Sequence, residues 1–167
     1  MKVTSTGVKN GIILEEYGGR GNQFNENGIP NYSLPFRVEG APEGTVSLAL
    51  VLEDKDACPV TGFVWIHWLA ANITRFEIKE NESCSTKDFI QGCNSFVSIQ
   101  GGEQSKELSS FYSGMTPPDK DHVYELHVFA LDCMLELENG FWLNELYQKM
   151  EGHILATDVC KGVYYKM

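Results

Sequence analysis

A mainly β fold, with a large antiparallel sheet packed on a smaller one and a few peripheral short helices, is what this sequence predicts. Three observations carry that expectation. Apolar residues alternate through Val46–Asp54, Trp65–Ile73 and Val123–Asp132, the period of strands. Between them lie stretches rich in glycine, proline and asparagine, residues that turn the chain. Helical spacing occurs once, late in the chain, where Leu143, Leu146, Tyr147 and Met150 recur at intervals of three and four. Many short strands and one late helix favour packed antiparallel sheets.

Taken in order, Gly18 to Pro35 is loop-like, and Pro42-Glu43-Gly44 is a turn before the strand Val46–Asp54. Asp56–Gly62 reads as a second turn region and Trp65–Ile73 as a strand. Asn81–Phe96 has no clear period and Gly101–Ser110 reads as a long polar loop. Val123–Asp132 is the clearest strand of the second half. The helix ends where Gly152 can terminate it, and two short β pieces follow, Ile154–Val159 and Val163–Lys166.

With 167 residues, 43% of them hydrophobic, the chain suits a single domain, 1–167, with a substantial core. Thirteen basic against 23 acidic side chains give a net charge of −10, and no basic run interrupts it. Such a field repels nucleic acid and anionic membrane surfaces but leaves room for a local anion site. No apolar run reaches membrane-spanning length, so no integral membrane segment is expected. Met1–Gly7 lacks the apolar stretch of a signal peptide, and the five cysteines form no C-x-x-C pair. The expectation is a cytoplasmic chain with reduced thiols and no cofactor.

Four polar residues fall in phase with apolar ones. Asp54 continues Val46, Leu48, Leu50 and Leu52; His67 falls with Phe63, Trp65, Leu69 and Ala71; His122 and Tyr124 precede Leu126, Val128 and Ala130. Singly, a strand-end aspartate usually starts a turn and an inward histidine is usually a hydrogen-bonded core residue. Three such pieces in one phase point instead to a shared pocket, because polar groups on apolar faces need partners. One bulge in any strand would reverse its phase and remove its member.

Several chemistries fit these residue types. His67 and His122 could serve as an acid–base pair in a small hydrolase or isomerase, yet no G-x-S-x-G elbow supplies a nucleophile, and Cys58 reads as a turn residue. Asp54, His67 and His122 make a two-histidine, one-carboxylate metal set, for which the spacing is neutral. His127 and His153 read as surface or packing residues. A small anion pocket needs fewest additions: His67, His122 and Tyr124 can donate to phosphate or carboxylate oxygens, and Gly114 is expected to offer close backbone approach and a free N–H.

These pieces resemble the phosphatidylethanolamine-binding proteins, which include Raf kinase inhibitor protein, and their bacterial branch especially. Asp54-Lys55-Asp56-Ala57 is similar to the family's D-P-D-A-P signature and Trp65-Ile66-His67-Trp68 to its W-x-H-W element. Tyr112 to Pro118 with His122-Val123-Tyr124 resembles the Y-x-G-P-x-P-P…H-R-Y block. Asn31-Tyr32-Ser33 with Gly40 to Thr45, and the tail Ala130-Leu131-Asp132 through Met150-Glu151-Gly152-His153, extend the likeness over nearly the whole chain. The resemblance implies a non-enzymatic binder of phosphate and phospholipid head-group anions, a protein partner as its output and a homodimer among bacterial members. The pocket lining it implies is Asp54, His67, Gly114, His122 and Tyr124, with Asp56 structural. The chain departs from the pattern at Lys55, Cys58 and Met115, where prolines are usual, and at Val123, where arginine is usual. Those departures imply a reshaped loop and a weaker or more apolar anion site.

Overall fold

The computed structural model describes residues 1–167. Ten strands follow in chain order: β1 (Lys2–Thr4), β2 (Val8–Lys9), β3 (Ile12–Ile13), β4 (Phe36–Glu39), β5 (Ser47–Asp54), β6 (Trp65–Ile73), β7 (Glu77–Ile78), β8 (Ile90–Gly92), β9 (His122–Leu131) and β10 (Ile154–Tyr164). Three helices join them: α1 (Cys58–Thr61), α2 (Lys106–Ser109) and α3 (Leu143–Met150). Seven strands form one sheet in the order β2-β3-β10-β9-β5-β6-β8, and β1, β4 and β7 form a second. All pairings are antiparallel except β3 with β10.

The large sheet is covered on both faces. Leu48, Leu50 and Leu52 of β5 and Leu126, Val128 and Ala130 of β9 pack against Val3, Phe36, Val38 and Ile78 of the small sheet. Residues of the other phase, Ala49, Val51, Phe129 and Leu131, pack against Leu146 and Met150 of α3. This explains why Ser47–Leu52 is buried at every position: a strand covered on both sides reads as a continuous apolar run. Each large side chain so enclosed contributes roughly 1.5–3 kcal/mol of transfer free energy.

The expected mainly β architecture is present, and β6 and α3 occupy the expected residues. Other elements depart from expectation. The tail is one strand rather than two, because it pairs with β9 from Ile154 to Tyr164 with Gly162 inside the ladder; a Cβ at Gly162 would lie 2.5 Å from Ile13 Cγ1. That glycine lets β3 approach β10. The Asp56–Gly62 turn holds the single-turn helix α1, closed by Gly62 at φ 89°. The polar loop holds α2, whose N-cap Ser105 accepts from the Leu108 N–H. β8 lies within the segment expected to be irregular.

The phase argument fails in β6, and the reason matters for the site. Leu52 pairs with Trp68 but Glu53 pairs with Ile66, which leaves His67 as an extra residue in the ladder. Trp68 and Ala70 therefore face the small sheet while Leu69 and Ala71 face α3. His67 does not share a face with Leu69 and Ala71.

Candidate functional site

At the end of the large sheet where β5 finishes and β9 begins, Asp54 pairs directly with Tyr124 across the strands. Their side chains share a face, and Trp65 pairs with Asp54 from the other side. A cavity of about 240 Å³ opens there, lined by Asp54, Trp65, His67, His122 and Tyr124 on the sheet side. Thr116, Pro117 and Pro118 of the loop before β9 form the opposite wall, with Val60 and Phe96 at its apolar margin.

Asp54 is buried and uses both oxygens. Oδ1 accepts the Ala57 N–H at 3.1 Å, which starts the α1 turn, and Oδ2 takes His122 Nδ1 at 2.7 Å. His122 is 1% exposed, and its other nitrogen, Nε2, lies 2.8 Å from Asp119 Oδ1. Only the imidazolium can donate to two carboxylates at once. Burial works against that charge, but the bonds to Asp54 and Asp119 outweigh it and raise the His122 pKa. Asp119 is in turn held below the usual carboxylate range by its bond to His122.

His67 is held differently. Its Nδ1 lies 2.8 Å from the Ser113 carbonyl, which can only accept, so Nδ1 carries the proton. The His67 carbonyl in turn accepts the Ser113 N–H at 2.9 Å and the Ser113 hydroxyl at 3.1 Å. The bulge thus leaves the His67 carbonyl satisfied. Nε2 has no protein partner and borders the cavity. Desolvation lowers the His67 pKa despite the nearby Asp54 charge, leaving Nε2 an acceptor at neutral pH. Tyr124 stands between the histidines, its ring centroid 5.2 Å from that of His67 and 6.3 Å from that of His122. Burial raises its hydroxyl pKa further from ionisation, and the Asp54 charge adds to this.

Four of the five residues singled out in the sequence, Asp54, His67, His122 and Tyr124, meet at this cavity; Gly114 does not. Its N–H is not free but donates to the Pro30 carbonyl at 2.7 Å. A Cβ at Gly114 would lie 2.7 Å from both Pro30 Cβ and the Tyr17 carbonyl oxygen. Its role is close packing behind the wall. Asp56 sits outside the cavity, accepting the Val123 N–H at 3.0 Å and Lys120 Nζ at 2.9 Å. The residue the sequence reading missed is Asp119. Its position in the Pro118-Asp119-Lys120-Asp121 turn, three residues before His122, was the available signal.

The departures from the family pattern all lie off the cavity wall. Val123 is exposed, and Met115 is buried behind the wall beside the Tyr112 hydroxyl. Cys58 opens α1 on the surface. Lys55 reaches the sheet's other face, 3.1 Å from Glu53 and 2.7 Å from Glu125. The metal set imagined from Asp54, His67 and His122 is not gathered: close groups of three such donors occur elsewhere, at Glu53–Glu125–His127 and Asp132–Cys133–His153.

Residues 4–165 match the family model described as phosphatidylethanolamine-binding protein. The Bacillus subtilis (strain 168) protein YxkA is 48% identical over 137 residues, covering 80% of this chain and 82% of that one. A phosphatidylethanolamine-binding protein homolog from Chlamydia trachomatis superposes with a TM-score of 0.79 at 29% identity, covering 99% of this chain and 97% of its own. Escherichia coli YbcL gives a TM-score of 0.76 at 23% identity, over 99% and 98% of the two chains, a likeness of fold.

Proposed function

The chain belongs to the phosphatidylethanolamine-binding protein family, and from that premise we propose that it binds a small ligand through a phosphate or carboxylate group in the Asp54–His122 cavity. The observation that carries this reading is the pair of histidines held in opposite states. His122 is an imidazolium donor, and His67 presents a bare Nε2. A monoprotonated phosphate has both complements, an oxygen anion for His122 and a P–OH for His67.

No lysine or arginine lines the cavity; Asp54 is in its wall, and Asp119 lies outside the lining, against His122 Nε2. A bare dianion would meet Asp54 and Asp119 with only one cation between them. The reading therefore includes displacement: the ligand oxygen takes the Nε2–H of His122 from Asp119, which lies on an exposed loop and can swing into water. Binding rather than turnover is proposed, since no serine or cysteine lines the cavity to act as a nucleophile. We extend the proposal to a protein partner that senses the occupied cavity, and to a cytoplasmic setting. All five cysteines are free and no helix is long and apolar enough to cross a membrane, which is in keeping with that setting.

An NMR titration of the histidine ring signals with phosphate and with O-phosphoethanolamine tests the reading. Saturable shifts at His67 and His122, absent in His122→Ala, are expected. Ring signals that stay fixed up to millimolar ligand would refute it.

A further inference from the structure

At the opposite end of β9 from His122, the chain leaves the strand as Asp132-Cys133, and His153 returns beside them after α3. Donor atoms of all three, a carboxylate oxygen, a thiol sulfur and an imidazole nitrogen, lie within 4.8 Å of one another. The backbone beneath them is fixed. The Asp132 N–H donates to the His153 carbonyl at 3.1 Å, the His153 N–H to the Met150 carbonyl at 2.9 Å, and the Ser47 hydroxyl to the Cys133 carbonyl at 2.5 Å. Asp132 and His153 are exposed and Cys133 is half-buried, so an ion has a path in.

The structure contains its own control. Glu53, Glu125 and His127 form a second three-donor group, but there the positive charge is supplied from within: Lys55 Nζ lies 2.7 Å from Glu125 Oε2, and Lys161 Nζ lies 2.9 Å from Oε1. No lysine or arginine pairs with Asp132; its one ion-pair partner is His153, with Nδ1 at 2.8 Å from Oδ1. The Cys133 thiol stands beside the Asp132 carboxylate, so a divalent ion placed among the three donors would meet two that can carry negative charge.

We propose that Asp132, Cys133 and His153 form a surface site for zinc or a similar borderline divalent ion. Mixed sulfur, nitrogen and oxygen donors select such an ion over magnesium or calcium. Three protein ligands leave the fourth tetrahedral position open to water or an external ligand. Zinc–ligand lengths of about 2.0–2.3 Å set donors roughly 3.5 Å apart, so the Asp132–His153 hydrogen bond opens by roughly 0.7 Å and the thiol closes in after losing its proton to solvent. The ion would clamp the end of β9 to the start of β10, a role independent of the cavity at the far end of the strand.

The test is a cobalt titration of the full chain, reduced with a non-chelating phosphine. One equivalent of Co²⁺ should raise a near-ultraviolet thiolate-to-cobalt band that zinc then bleaches. The band should vanish in Cys133→Ser, His153→Gln and Asp132→Asn, and persist in Cys84→Ser and Glu125→Gln. Zinc should also raise the melting temperature of the wild type but not of Cys133→Ser, with circular dichroism confirming that each variant folds. A flat spectrum, a band that survives Cys133→Ser, or one that disappears with Cys84→Ser overturns the proposal.

Discussion

Asp119 holds Nε2 of His122 at 2.8 Å, the one His122 nitrogen not already taken by Asp54. The exposed carboxylate thus occupies, from within the chain, the position that an anion would take in the proposed binding mode.

Replacing Asp119 by alanine should tighten phosphate binding by about tenfold, equivalent to about 1.4 kcal/mol. The same change should lower the pKa of His122, since one of the bonds that raise it is lost. Ring-proton NMR at mildly acidic pH reads both effects. Equal phosphate affinities in variant and wild type would show that Asp119 does not compete for the nitrogen.

The two cavity histidines should tilt the pH dependence of stability in opposite senses. His122, raised by Asp54 and Asp119, contributes fully below its ordinary pKa of 6.5, and the contribution is lost as pH climbs through the raised value. His67, lowered mainly by desolvation, contributes fully above 6.5, and that contribution is lost as pH falls through the lowered value. Urea melts across this range should lose the alkaline decline in His122→Gln and the acid decline in His67→Gln. Profiles parallel to wild type in both variants would contradict the assignment.

Gly114→Ala should cost about 1–3 kcal/mol of stability, because its Cβ would overlap Pro30 and the Tyr17 carbonyl. Phosphate affinity, measured on the folded fraction, should change little. A variant as stable as wild type but unable to bind would return Gly114 to the ligand site.

Lys55→Gln removes the ammonium between Glu53 and Glu125, half-exposed ion pairs worth about 0.2–1 kcal/mol. The Glu125 carboxyl, held down at about 2 by Lys55 and Lys161, should titrate higher in the variant by carboxyl-carbon NMR. High salt should bring the two stabilities together.

How much of this was legible in the sequence depends on the strand. In β5 and β9 the register is regular from Ser47–Leu131 to Asp54–Tyr124, so counting by twos correctly placed Asp54, His122 and Tyr124 on one face. In β6 the same counting grouped His67 with Leu69 and Ala71, which pack on the α3 side. Nothing local marks that bulge. Its carbonyl is satisfied by Ser113, a residue distant in sequence. Gly114 misled for a related reason, since the partner of its N–H, Pro30, belongs to a loop far upstream. The helix was fully visible because its spacing and Gly152 are local signals.

The extra residue in β6 also separates two kinds of selection. Trp68 and its neighbours answer to the core, whereas His67 is carried as an insertion whose side chain lines the cavity, tied to the Ser113 carbonyl and packed on Tyr124. Exchanging that one side chain can redefine what the cavity accepts while every core contact of the strand keeps its phase. If the cavity binds as proposed, a new ligand preference would need a single substitution and no rebuilding of the sheet.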